Sequence, residues 1–89
     1  MTEYLIRAVD FANGAPCPFA GQWLKEFDFD ADDGRGFGVF TDNRAEAVRF
    51  GSRRLALLFW RTTSSIKPIR EDGEPNRPLT AMSIDIEEW

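Results

Sequence analysis

Residues 41–65, TDNRAEAVRFGSRRLALLFWRTTSS, decide the fold. They form the one long stretch with helical periodicity. Asn43 followed by Glu46 has the spacing of a capping box. The Asn oxygen accepts a free amide of the first turn, and Glu46 reaches back to the Asn43 N–H. Ala45, Val48 and Phe50 then line one side of a first segment. Gly51 is expected to close it in a left-handed conformation, and Ser52 to cap a second segment. There Leu55, Leu58, Phe59 and Thr62 recur at three- and four-residue spacing, and Ala56 and Trp60 widen the stripe. The run Thr62–Ser65 ends it, because short hydroxyl side chains compete for the backbone. The expectation is one helix broken at Gly51, with its apolar stripe hidden on one face of a sheet. Arg53, Arg54 and Arg61 fall at its rim.

The flanking chain reads as strand and turn. Residues 3–11 carry Tyr4, Ile6 and Ala8 on one side and Leu5, Val9 and Phe11 on the other, which suits a central strand. Residues 12–19, with Asn13-Gly14, Pro16 and Pro18, read as a loop. Residues 21–30 alternate: Trp23, Lys25, Phe27 and Phe29 against Glu26, Asp28 and Asp30. Asp33-Gly34 reads as a tight hairpin turn, and residues 36–41 return as a third strand. Residues 66–70 would make a short edge strand at most, since Pro68 lacks an amide donor. Residues 79–87 read as a last strand, on which Met82, Ile84 and Ile86 oppose Ser83 and Asp85. The fold class expected is α+β: two layers, an antiparallel sheet of four or five strands with the broken helix packed on one face. The 89 residues fit a single domain, 1–89, and no linker divides them.

Composition narrows the chemistry. Hydrophobic content is 43% and aromatic content 13%, enough for a core. No apolar run approaches the ~20 residues that span a membrane, and MTEYLIRAVDF does not read as a signal peptide. There is one cysteine, Cys17, so no internal disulfide, which suits a cytoplasmic setting. There is no histidine, which removes every Ser-His or Cys-His nucleophile pair. No catalytic constellation, cofactor site or metal site is expected, and the chain reads as non-enzymatic. The net charge of −4 is segregated. Residues 26–42 hold six acids and Arg35, a balance of −5. Residues 43–70 hold seven bases and Glu46, a balance of +6, and residues 71–89 six acids and Arg77, again −5. The basic block either pairs with its own acidic neighbours or faces an acidic partner.

Two strings invite a specific reading. Asp28-x-Asp30-x-Asp32 has the opening of a calcium loop, but the required Gly and Glu positions hold Asp33 and Val39. Arg35-Gly36-Phe37-Gly38-Val39-Phe40 resembles the start of the RNA-recognition-motif signature, whose strand aromatics stack on bases. One residue is missing after Gly38, and Asp42 stands where the last aromatic belongs. A strand cannot lose one residue without turning a stacking side chain to the wrong face.

A wider likeness covers Phe40-Thr41-Asp42, Ala47-Val48-Arg49-Phe50 and Asp72–Ala81. These resemble segments of small proteins of unknown function encoded in bacterial and phage or prophage genomes. The resemblance implies a fold type and a mobile-element origin, and no activity or ligand. Function is therefore expected to be binding, with protein as the partner: aromatic and Arg side chains are favoured interface anchors. The candidate contact residues are Arg49, Arg53, Arg54, Arg61, Phe37 and Phe40. The alternative is a nucleic-acid-binding module that uses the basic helix or the Arg35–Phe40 strand, which the acidic net charge disfavours.

Overall fold

A computed structural model describes residues 2–89. Four strands, β1 (Tyr4–Phe11), β2 (Trp23–Asp28), β3 (Phe37–Thr41) and β4 (Met82–Glu88), form one antiparallel sheet in the order β3-β2-β1-β4. The α+β class and the antiparallel sheet are as the sequence implies. The radius of gyration, 12.9 Å, is close to the ~12 Å of a compact unit of this length. β1 is central, and its consecutive Leu5 and Ile6 are both fully buried. Neighbouring strand residues project to opposite faces, so both faces of β1 are covered.

The registers assign the faces. Directly opposed residues in an antiparallel pair share a face. Leu24 opposes Phe40 and Phe27 opposes Gly38, while Trp23 opposes Thr41 and Glu26 opposes Val39. A register shift between Leu24 and Glu26 absorbs Lys25. This corrects the simple alternation expected over residues 21–30. The bulge puts Leu24 and Phe27 on one face, and Trp23 on the other with Glu26 and Asp28. The first face carries the core: Ile6, Leu24, Ala56 and Leu79, surrounded by Phe27, Phe29, Phe40, Phe50, Phe59, Trp60, Ile84 and Ile86. Rings link across it from Phe27 to Phe29 (4.7 Å), Phe29 to Phe59 (5.2 Å) and Phe59 to Phe50 (5.2 Å). Each large side chain fully buried there stabilises by about 1.5–3 kcal/mol.

The broken helix is corrected to a shorter one. Residues Arg44–Glu46 make a single 3-10 turn, and Ala47 is already extended. Asn43 does cap that turn, accepting the Ala45 amide. Glu46 accepts instead from Thr41 Oγ1 at 2.9 Å, and Thr41 Oγ1 accepts the Asn43 amide at 3.1 Å. The Thr41 hydroxyl has thus taken both roles that the capping box assigns to Glu46 and the Asn43 N–H. The chain from Ala47 to Phe50 runs between the splayed ends of β1 and β2. Val48 donates to the Leu24 carbonyl at 3.0 Å, and Phe50 and Tyr4 exchange two backbone bonds of 2.9 Å. Two β-branched or aromatic residues with sheet partners gain more there than in a solitary helical turn. Gly51 is not among the glycines of positive φ, so it bends the chain without a left-handed cap.

Among the described residues only Arg53–Trp60 is α-helical beyond one turn, with Ser52 accepting the Leu55 amide as expected. Its inward side is Ala56, Phe59 and Trp60. Leu55 and Leu58 are 53% and 52% exposed, which overturns the stripe drawn through them. Trp60 fixes the rotation by donating its indole N–H to the Met82 carbonyl at 3.1 Å, and Arg53 does likewise to Ile86 at 2.8 Å. Residues 66–70 form no strand; Ile69 makes one isolated bridge to Pro75. The sheet has four strands, not five.

β2 and β3 form the expected antiparallel hairpin, but the tight Asp33-Gly34 turn is corrected to a longer loop that holds a left-handed turn. Asp32, Asp33 and Gly34 take φ of 52°, 56° and 84°. A Cβ on Gly34 would lie 2.8 Å from Lys67 Cβ. Gly36, at φ 86°, is tighter still: its Cβ would meet Phe27 Cζ at 2.6 Å and Pro78 Cβ at 2.7 Å. Glycine is required at both positions by conformation and by space.

Candidate functional site

The six candidate contact residues lie in three environments. Arg49 is committed inside the molecule. Its guanidinium stands 3.9 Å from the Trp89 ring centre and 3.5 Å from the Glu3 carboxylate. It belongs to a cluster on the sheet face away from the helix. There Glu87 accepts the Trp23 indole N–H and lies 3.8 Å from Arg7 and 3.7 Å from Arg44. Arg44 is also stacked between Trp23 and Trp89, at 5.7 and 5.3 Å. Two bases of the block, Arg44 and Arg49, thus pair with Glu87 and Glu3 near the two chain ends, and among the described residues none pairs with an acid of residues 26–42.

Arg53 is committed too, through its bond to Ile86 and its position 5.1 Å from the Tyr4 ring. Arg54 and Arg61 differ. Both are exposed, and among the described residues neither makes an ion pair. At 100° per residue, Arg54, Leu58 and Arg61 share the outward side of the helix, with Leu55 beside them. An apolar pair is therefore framed by two unpartnered guanidinium groups.

Phe37 and Phe40 are three residues apart on β3 and face opposite ways. Phe37 is 64% exposed, whereas Phe40 stacks on Phe19 at 4.7 Å within the core layer. The structure does not bring them together as one stacking surface. Gly38 has no room for a side chain, because a Cβ there would meet the Phe40 and Phe27 rings at 2.8 and 3.0 Å. Beneath lies an apolar cavity of about 260 Å³, lined by Phe11, Phe19, Phe27, Phe40, Leu79 and Met82 among others.

Among the described residues, Asp30 is the one acid with a strongly shifted pKa. Its carboxylate accepts the Ser65 hydroxyl, the Ser64 hydroxyl at 2.8 Å, and the amides of Ser65 (2.7 Å) and Ile66 (3.3 Å). These donors, the Ser65 hydroxyl first, hold its pKa down to about 2 against partial desolvation. Asn76 completes the knot, donating to the carbonyls of Gly34 (2.7 Å) and Lys67 (2.9 Å). In the sequence Asp30 stood out only as the middle acid of a calcium-loop-like string, and Asn76 carried no role of its own. The serine partners of Asp30 are 34 and more residues away, and those of Asn76 lie 9 and 42 residues away, with no local pattern to mark them.

Among the described residues, no group of three or more His, Cys, Asp or Glu is placed to hold a metal ion. No described helix is long and apolar enough to cross a membrane. Cys17 is a buried free thiol. The chain matches no protein-family model, no curated protein and no solved structure.

Proposed function

We propose that the protein is a non-enzymatic interaction domain that binds an acidic, partly apolar polypeptide on the outward side of helix Arg53–Trp60. One observation carries this reading: Leu55 and Leu58 are more than half exposed on a helix whose neighbouring Arg54 and Arg61 have no carboxylate partner among the described residues. An outward leucine pair has no role in the fold's own core. Desolvated by a partner, it supplies affinity, while the two arginines select negative charge and orient the approach. The lone buried Cys17 supports a reducing, cytoplasmic setting for this encounter. The likeness of Phe40–Asp42, Ala47–Phe50 and Asp72–Ala81 to phage and prophage proteins supports a mobile-element origin, and proteins encoded beside it are the first partners to try.

Selection from a surface-displayed random peptide library tests the reading without a known partner. Recovered peptides should combine Asp or Glu with Leu, Ile or Phe. Leu55→Ala/Leu58→Ala should weaken them roughly tenfold or more. Arg54→Ala and Arg61→Ala should each flatten the salt dependence of binding. Peptides that bind the double leucine variant as well as the native chain would discard the site.

Nucleic-acid binding is the second reading, favoured by the same two free arginines and by exposed Phe37. It predicts a salt-dependent anisotropy change with single-stranded RNA or duplex DNA. The absence of any change at low salt would end it.

A further inference from the structure

The helix covers only half of the sheet's core face. Its anchors, Trp60 to Met82 and Arg53 to Ile86, tie it to β4, and it packs chiefly on β1 and β4. Over β2 and β3 the layer is closed instead by Phe19, stacked on Phe40, and by Leu79 in the 3-10 turn Pro78–Ala81. These do not fill it, and the cavity of about 260 Å³ stays between them. Protein interiors hold few voids larger than a water molecule, so an apolar space of this size calls for an occupant. Two glycines open it. The Phe27 ring lies against both Gly36 and Gly38, where a Cβ would stand 2.6 and 3.0 Å from it. The ring sinks toward the bare backbone, and the space above it stays open. Glycine inside a strand marks places where a ligand or another backbone approaches closely.

We propose that this cavity binds a small aromatic carboxylate, its rings among Phe19, Phe27 and Phe40 and its carboxylate on Arg35. The lining selects that chemistry. Four phenyl rings, of Phe11, Phe19, Phe27 and Phe40, and the Met82 thioether suit a flat ring through offset, edge and sulfur–ring contacts. Arg35 is the one charged residue of the lining, so an anion is favoured and a cation is not. Its guanidinium has only a loose, solvent-exposed partner in Asp32 at 3.6 Å. A ligand carboxylate offers it two parallel hydrogen bonds in place of that contact. Size narrows the class further. A cavity of ~150 Å³ holds benzene, so 260 Å³ admits two fused rings. The site is separate from the outward helix face of Leu55 and Leu58, and the inference does not rest on that reading.

Naphthoate titrated into the isotope-labelled native chain tests it by NMR. Saturable shifts are expected at the Met82 methyl and the Phe19 and Phe40 rings, and none at Leu55 or Leu58. The Kd should fall between ~10 μM and ~1 mM, as suits a ligand of this size. Naphthylmethanol, which has the rings without the charge, should bind roughly threefold to tenfold more weakly. Arg35→Gln changes an exposed side chain and should remove that difference by weakening naphthoate alone, while Arg35→Lys should keep part of it. Damage to the fold would weaken both ligands equally. Ala81→Phe, at an exposed position of the lining, should block the cavity and abolish binding of both. The absence of saturation by ~5 mM overturns the proposal. So do shifts confined to the helix face, an Arg35→Gln variant that discriminates as well as the native chain, or octanoate binding as tightly as naphthoate.

Discussion

Asp30 shows how much of one residue's role depends on where the chain returns. In sequence it is the middle acid of Asp28-x-Asp30-x-Asp32, on the solvent side of an alternating strand. In the fold it lies two residues past the end of β2 and collects the hydroxyls of Ser64 and Ser65 with two amides. The Thr62–Ser65 run does end a helix, as its composition implies, but its serines are chosen by a carboxylate that local propensity cannot see. Because those donors favour the ionised form, the folded pKa of about 2 lies below the ordinary 3.8. The linkage sign follows. The contribution is fully present above pH 3.8 and is lost as pH falls from there toward about 2. Denaturant unfolding of the native chain should therefore weaken through this window. Asp30→Asn should be less stable at neutral pH and show a smaller slope there. Carbon-detected titration of the Asp30 carboxyl should place its midpoint near 2; a midpoint close to 3.8 would remove the explanation.

At the scale of elements, sequence pattern located the four strands and the Ser52 cap but rotated the helix wrongly. Both Leu55-Leu58-Phe59 and Ala56-Phe59-Trp60 satisfy helical spacing, and hydrophobicity ranks the leucines above alanine. The rotation was decided by two polar anchors to β4, from Trp60 and Arg53, and by close approach at Ala56, which is fully buried. Neither term appears in a periodicity argument. The same limitation affects Val48 and Phe50, which fit a helix face until the sheet supplies Leu24 and Tyr4 as backbone partners. A pair of substitutions separates the two rotations. Ala56→Leu should cost about 1–3 kcal/mol, since added methylenes have no space between helix and sheet. Leu58→Gln should change stability by less than about 0.5 kcal/mol, as an exposed position. Urea unfolding measures both, and the reverse order of effects would reinstate the leucine stripe.

At the scale of the whole molecule, the alternation of acidic and basic blocks was legible as a pattern, while its wiring was not. Glu87 is where the wiring converges. It accepts from Trp23 on β2, and it faces Arg7 on β1 and Arg44 in the turn that leads into the inserted segment. Three distant parts of the chain are thus referred to one carboxylate on the last strand. Two kinds of interaction meet there and respond differently to salt. The indole hydrogen bond is short-ranged and persists in any electrolyte. The ion pairs, at 3.7 and 3.8 Å with side chains 30–44% exposed, are screened once the Debye length falls to ~3 Å in 1 M salt. Glu87→Gln keeps an acceptor for Trp23 and loses only the charge, so it should cost less than about 1 kcal/mol at low salt and approach the native value in 1 M NaCl. Glu87→Ala loses the acceptor as well and leaves the partly buried Trp23 indole N–H without a partner. It should cost about 1–3 kcal/mol, most of it surviving in 1 M NaCl. Unfolding followed by tryptophan fluorescence reads both variants at both salts. Equal losses from Gln and Ala that vanish together in salt would mean that charge alone ties these parts, and that the Trp23 bond contributes nothing.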